Sequence, residues 1–173
     1  MTQGLLRPYK GIVPKLGKDV FIAETAALIG DVVIGDESNI WYGVVMRGDV
    51  HEIRVGARTN IQDGSIVHVT SGKFGTYIGS DVTIGHAAIL HACTLGDVSF
   101  VGMGATVMDG AVVEDGAMVA AGALVTPGKR VKSGELWAGS PAKLMRSLSE
   151  DDLKAFKLSA DHYVKLAGEY LRG

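Results

Sequence analysis

A six-residue rhythm constrains this chain more than any other feature. From Leu95 onward an aliphatic residue returns at every sixth position: Leu95, Val101, Val107, Val113, Val119 and Val125. Four residues after each of the first five stands a small one: Ser99, Ala105, Ala111, Ala117 and Ala123. Upstream the rhythm is looser but persists in Ile29-Gly30, Ile34-Gly35, Val55-Gly56, Ile78-Gly79 and Ile84-Gly85. Hexapeptide periodicity is a signature of a parallel β-helix. Each hexad makes one short strand and one turn, and three hexads close a triangular coil. The aliphatic residue points inward onto its counterpart one coil away, and the small residue fits the tight bend. The 24 glycines suit turns whose backbone angles a Cβ would penalise. A helical bundle would need apolar residues at 3.6-residue spacing, which the hexads do not provide. The expected fold is therefore all-β, a parallel β-helix, followed by a C-terminal α-helix.

The 173 residues suffice for one domain with a real core. Residues 1–18 read as a lead-in, with Pro8 and Pro14 opposing helix. The coil stack is expected over about 19–132, a connector through Ser140-Pro141 over about 133–146, and the helix over about 149–172. Ser149 is placed as the helix N-cap, with Glu150, Asp151 and Asp152 where the dipole favours acids. Leu153, Phe156, Ala160, Tyr163, Ala167 and Tyr170 form one apolar face, expected to pack along the outside of the coil. The segment Val69–Tyr77 breaks the hexads and reads as a loop through Thr70-Ser71-Gly72-Lys73.

A net charge of −2 leaves no basic field for nucleic acid. No apolar run is long enough to span a membrane, and Met1 to Pro8 lacks the apolar stretch of a signal peptide. The single cysteine, Cys93, occupies the small position of a hexad and is expected to be a buried thiol. Together these features point to a cytoplasmic protein.

Three histidines share one phase of the repeat, each two residues after an isoleucine: Ile66-Val67-His68, Ile84-Gly85-His86 and Ile89-Leu90-His91. Three imidazoles form a ligand set for catalytic zinc that leaves one coordination position open. His68 and His91 are 23 residues apart, one coil of 18 plus a five-residue excursion in the Val69–Tyr77 loop. They should share a corner one coil apart, where strands about 4.8 Å apart let both rings reach one ion. His86 falls on the neighbouring face of the same coil and points elsewhere. A threefold arrangement would bring His86 of one subunit to His68 and His91 of the next, through a closed heterologous interface. A metal site built from these residues therefore requires a homotrimer. His51 and His162 read as surface residues.

The ordered set Arg47-Gly48-Asp49, Asn60-Ile61-Gln62-Asp63-Gly64, Val67-His68, Ile84-Gly85-His86, Leu90-His91-Ala92-Cys93, Val101-Gly102-Met103-Gly104 and Trp137-Ala138-Gly139-Ser140-Pro141-Ala142-Lys143 resembles the γ-class carbonic anhydrases and their bacterial relatives over nearly the whole chain. That resemblance implies left-handed β-helices in trimers, with metal between subunits held by His68 and His91 of one chain and His86 of its neighbour. It implies that Gln62 helps orient a zinc-bound hydroxide. Arg47 and Asp49 would form an ion pair near the interface, Asp63 would support that network, and Asn60 the backbone around it. Tyr163 looks like a tyrosine that reaches the site in some bacterial members. Each also has a plainer role: Arg47 and Asp49 in holding subunits together, Gln62 in bonding a turn carbonyl, and Tyr163 in packing.

The implied reaction is hydration of CO2 to bicarbonate by metal-bound hydroxide, with zinc as the expected ion and iron or cobalt compatible with the same ligands. Two departures bear on rate. Well-known archaeal members follow the matching aspartate with a glutamate, whereas Asp49 is followed by Val50. They also carry an acidic loop after the first histidine, whereas Val69–Tyr77 contains no acid. Two other readings remain open: a hexapeptide acyltransferase using acyl-CoA with a histidine base, and a metal-binding relative without useful turnover.

Overall fold

The computed structural model describes residues 4–173, so Met1, Thr2 and Gln3 of the expected lead-in lie outside the described residues. The hexads wind into a parallel β-solenoid of about seven turns. Each coil contributes one strand to each of three faces, and each face carries one inward column. The first column is Ile22, Ile40, Ile61, Ile84, Val101, Val119 and Trp137. The second is Leu28, Met46, Val67, Leu90, Val107 and Val125. The third is Leu16, Ile34, Val55, Ile78, Leu95, Val113 and Val131. The series that recurs every sixth residue visits the three columns in rotation, so partners within a column are 18 apart, as from Leu95 to Val113. Burial of these aliphatics is nearly complete, and Val101, Val107, Val113 and Val119 are all 0% exposed. At roughly 1.5–3 kcal/mol per buried side chain, the columns are the main source of stability.

The lead-in does more than its prolines suggest. Leu5–Arg7 and Lys15–Leu16 pair in parallel with Ala27–Ile34, so the coil begins well before residue 19. Ala27–Ile34 and Val45–Val55 each run unbroken around a corner, joining the second and third faces into one sheet. Gly30 makes that corner possible: its φ is +75°, and a Cβ there would come within 2.4 Å of the Gly48 carbonyl oxygen. Over the expected connector, Glu135–Gly139 adds to the first face and Ala142–Ser147 folds back on it antiparallel, closing the end of the stack.

Helix Glu150–Arg172 begins at Ser149, whose side chain accepts from Asp152 N while Asp152 caps the Ser149 amide in return. Its apolar side lies on the first face, Phe156 against Phe100 at 5.1 Å between ring centroids and Tyr163 against Trp41 at 5.6 Å. Trp41 also meets Phe21 and Tyr170, which makes an aromatic seam outside the main core. Arg58 ties the coil to this helix through Asp81 and Asp161.

Candidate metal centre

His68 ends the strand Ile66–His68, His91 ends Ile89–His91, and the two face each other in register on adjacent coils. Their rings are tilted by 55° with centroids 5.2 Å apart. The 23-residue spacing is explained by the excursion after His68, which closes on itself through reciprocal backbone bonds between Thr70 and Phe74. One coil further on, the excursion is gone and the strand step falls to 17, from Leu90 to Val107, which brings Asp109 beside the His91 ring.

Each ring has a carboxylate on its outer nitrogen. Asp49 lies 3.2 Å from His68 Nε2, and Asp109 lies 2.7 Å from His91 Nδ1. An ionised carboxylate only accepts, so the proton of each neutral ring sits on that outer nitrogen. The inner nitrogens, His68 Nδ1 and His91 Nε2, then face each other as lone pairs only 3.2 Å apart. Two lone pairs at that distance repel unless a cation lies between them. Nitrogens about 2.0–2.1 Å from a tetrahedral zinc are separated by roughly 3.4 Å, which the observed spacing matches closely.

Burial pushes the His68 pKa below its ordinary value, outweighing the pull of Asp49, a shift toward the neutral form that a metal ligand needs. Burial alone would raise Asp49, but hydrogen bonds from Arg47, at 2.6 Å, and from His68 hold its carboxyl below the usual range. The Thr70 hydroxyl and the His91 ring do the same for Asp109.

His86 stands apart. It follows the first-face strand Thr83–Ile84, and its Nδ1 is 2.8 Å from Asp63. His86 therefore precedes the second-face strand that His91 ends. A corner turn at His86-Ala87, with Ala87 at φ 57°, separates it from that strand, so the two histidines sit at opposite ends of one face. Among the described residues, no three metal-binding side chains converge. The strand between the two corners is not polar. Leu5, Ala27, Val45, Ile66 and Ile89 are in lateral register on its outer surface, and Leu5, Val45, Ile66 and Ile89 are exposed.

The other expected residues divide. Arg47 and Asp49 form the predicted ion pair. Within one chain Asp63 lies away from it and partners His86 at the opposite corner, because Gln62-Asp63 sits where the first face turns. Asn60 supports side chains more than backbone. It accepts from Gln62 Nε2 at 3.0 Å and donates to the Thr83 hydroxyl at 2.9 Å, which donates to Ser159 on the helix. Gln62 is 5% exposed and in this way fixed by Asn60. Tyr163 packs edge-on against Trp41; burial raises its pKa, and the charge of Asp63 adds to the rise. His51 Nδ1 accepts from the Glu52 amide, and its ring lines a cleft with Tyr9, Lys10 and Asp49. His162 is exposed beside Tyr163. Asp109 and Thr70 were missed; the strand register on these coils advances by 17, Leu90 to Val107, so Asp109, 18 residues after His91, lies one residue past its lateral neighbour.

No protein-family model matches the chain. It is 54% identical over 159 residues to the mitochondrial gamma carbonic anhydrase 2 of Arabidopsis thaliana, covering 89% of this chain but only 57% of that relative's length. It is 50% identical over 174 residues to protein YrdA of Escherichia coli, covering 96% and 94% of the two chains. A probable carbonic anhydrase of Methanocaldococcus jannaschii is 51% identical over 152 residues, covering 88% of this chain and 95% of that one. Among solved structures, a hexapeptide transferase family protein from Anaplasma phagocytophilum superposes with a TM-score of 0.92 at 54% identity, covering 96% and 98%. A Bacillus cereus protein described as a putative acetyltransferase superposes at 0.94 with 38% identity, covering 96% of each chain.

Proposed function

The chain belongs to the γ-class carbonic anhydrase family, and from that premise we propose that it catalyses reversible hydration of CO2 to bicarbonate at metal sites between the subunits of a homotrimer. The observation that carries the reading is the pair of facing ring nitrogens of His68 and His91, 3.2 Å apart, with a third imidazole at the opposite edge of an apolar face. A divalent metal at the pair would supply Lewis acidity and lower the pKa of a coordinated water to about 7, an effect for which carbonic anhydrase is itself the reference case. Zinc suits three imidazoles, and iron and cobalt suit the same donors.

The chain's own residues do the rest. Asp49, Asp109 and the neighbour's copy of Asp63 hold the outer nitrogens of the three ligand rings and keep them aimed inward. Arg47 neutralises Asp49 without taking it from His68. Gln62, its amide nitrogen committed to Asn60, keeps its carbonyl oxygen free to accept a hydrogen bond at the site. Tyr163 stands by the Asp63 corner as a hydroxyl that binds substrate or product rather than moving protons, because its pKa is raised from an already high value. The aliphatic stripe Leu5, Val45, Ile66 and Ile89 supplies the subunit contact; packing stripe against neighbour closes a threefold ring and joins the two histidine corners. The lone buried cysteine supports a cytoplasmic location.

Acyl transfer from acyl-CoA is the second reading, favoured by the descriptions of the two superposed structures. Metal analysis of anaerobically purified protein, with stopped-flow CO2 hydration and acyl-CoA thiol release run in parallel, separates the two. About one transition metal per chain with hydratase activity supports the proposal. Metal-free protein that releases CoA thiol refutes it.

A further inference from the structure

We infer that Asp109 is a positioning residue that sets the protonation and orientation of His91 and binds it to the segment following His68, so that this half of the site is formed before any ion arrives. The inference rests on the reading of His68 and His91 as ligands. Nothing in the family resemblance or the relatives' names assigns Asp109 a role.

The geometry is that of a clamp with one carboxylate at its centre. Asp109 Oδ1 accepts from His91 Nδ1 at 2.7 Å. Its other oxygen accepts from the Thr70 hydroxyl. Thr70 belongs to the excursion that leaves the coil directly after His68, and it closes that excursion through Thr70 N to Phe74 O at 3.0 Å and Phe74 N to Thr70 O at 3.3 Å. The Phe74 ring then lies against Gly110, the residue next to Asp109. The His68 carbonyl is held from two further sides, by the Thr76 hydroxyl at 2.6 Å and by the Ala92 amide at 3.0 Å. One carboxylate therefore connects the ring of His91 to the loop that begins directly after His68.

The consequence for His91 is specific. A carboxylate that already accepts from Thr70 offers its remaining oxygen as an acceptor only, so the neutral ring must carry its proton on Nδ1. That leaves Nε2 bare and facing His68. A carboxylate acting merely as a turn cap would stiffen the loop but would not dictate which nitrogen of His91 is protonated.

The test uses the full-length metal-free protein with selectively 15N-labelled histidine, and zinc affinity measured by chelator competition. Wild type should show His91 as the Nδ1–H tautomer without metal. Asp109→Ala should lose that preference and bind zinc about 10–100-fold more weakly, with Asp109→Glu restoring part of the affinity. Thr70→Val should weaken zinc several-fold while leaving the coil folded. His91 carrying its proton on Nε2 in metal-free wild type overturns the inference whatever the variants do, as does unchanged zinc affinity in folded Asp109→Ala and Thr70→Val. Failure of the functional reading looks different: wild type would bind no zinc while the Nδ1–H tautomer and its loss in Asp109→Ala remained.

Discussion

Val113→Asp should nearly abolish folding at neutral pH. Val113 is 0% exposed and stacks between Leu95 and Val131 in the third inward column. Losing its buried surface costs about 1.5–3 kcal/mol. The introduced carboxyl has no partner in an aliphatic column, so it must be protonated there. Moving from an ordinary aspartate value near 3.9 to neutrality at pH 7 costs roughly 4 kcal/mol at about 1.4 kcal/mol per unit. Burying the neutral acid without a hydrogen bond adds about 1–3 kcal/mol. The sum, roughly 7–10 kcal/mol, rivals the whole stability of a typical domain. The adjacent Val112 is the outward residue of the same strand and only partly buried, so Val112→Asp should cost under about 1 kcal/mol. The assay is urea unfolding followed by circular dichroism, at fixed protein concentration because assembly contributes to the midpoint. The introduced group's folded pKa lies above its unfolded one, so the deficit relative to wild type should shrink as pH falls from 7 toward 4. If Val113→Asp unfolds where wild type does, or if both variants lose the same amount, the column assignment is wrong.

The remaining predictions concern the site. Light scattering should give a trimer at micromolar concentration, and a monomer there would remove the shared site, because His86 pairs with Asp63 rather than with the other histidines of its own chain. His86→Ala should lose the metal with little change in unfolding midpoint, since this side chain is 44% exposed; full metal content in the variant would show that His86 is not a ligand. For CO2 hydration, kcat should rise with imidazole buffer while kcat/KM stays nearly constant, because Asp49, Asp109 and Glu52 are all engaged and Val50 supplies no carboxyl; a buffer-independent kcat would reveal an internal relay, with His51 the first candidate. Burial pushes the Cys93 thiol up to about 12, so thiol reagents at pH 8 should label it only after unfolding; because the folded value lies above the unfolded one, its contribution to stability is full below about pH 9 and declines toward pH 12.

The repeat made the three inward columns legible from residue types alone. A hexad is a local signal, and stacking at 18-residue intervals follows once the coil closes, so Leu95, Val113 and Val131 had to meet. The same arithmetic paired His68 with His91 and set His86 apart. Tertiary structure decided whatever breaks the local rule. Leu5–Arg7 and Lys15–Leu16 join the stack although they follow no hexad, because an open coil end exposes backbone groups that any extended segment can satisfy. The antiparallel return of Ala142–Ser147 closes the other end for the same reason. Within the chain Asp63 turned to His86, and Asp109 reached both His91 and Thr70. Those partners lie on different coils, and which of them meet is set by how the excursion after His68 folds and which rotamers its neighbours leave open. The repeat fixes which positions are lateral neighbours; side-chain direction and loop path determine which of those neighbours form a hydrogen bond.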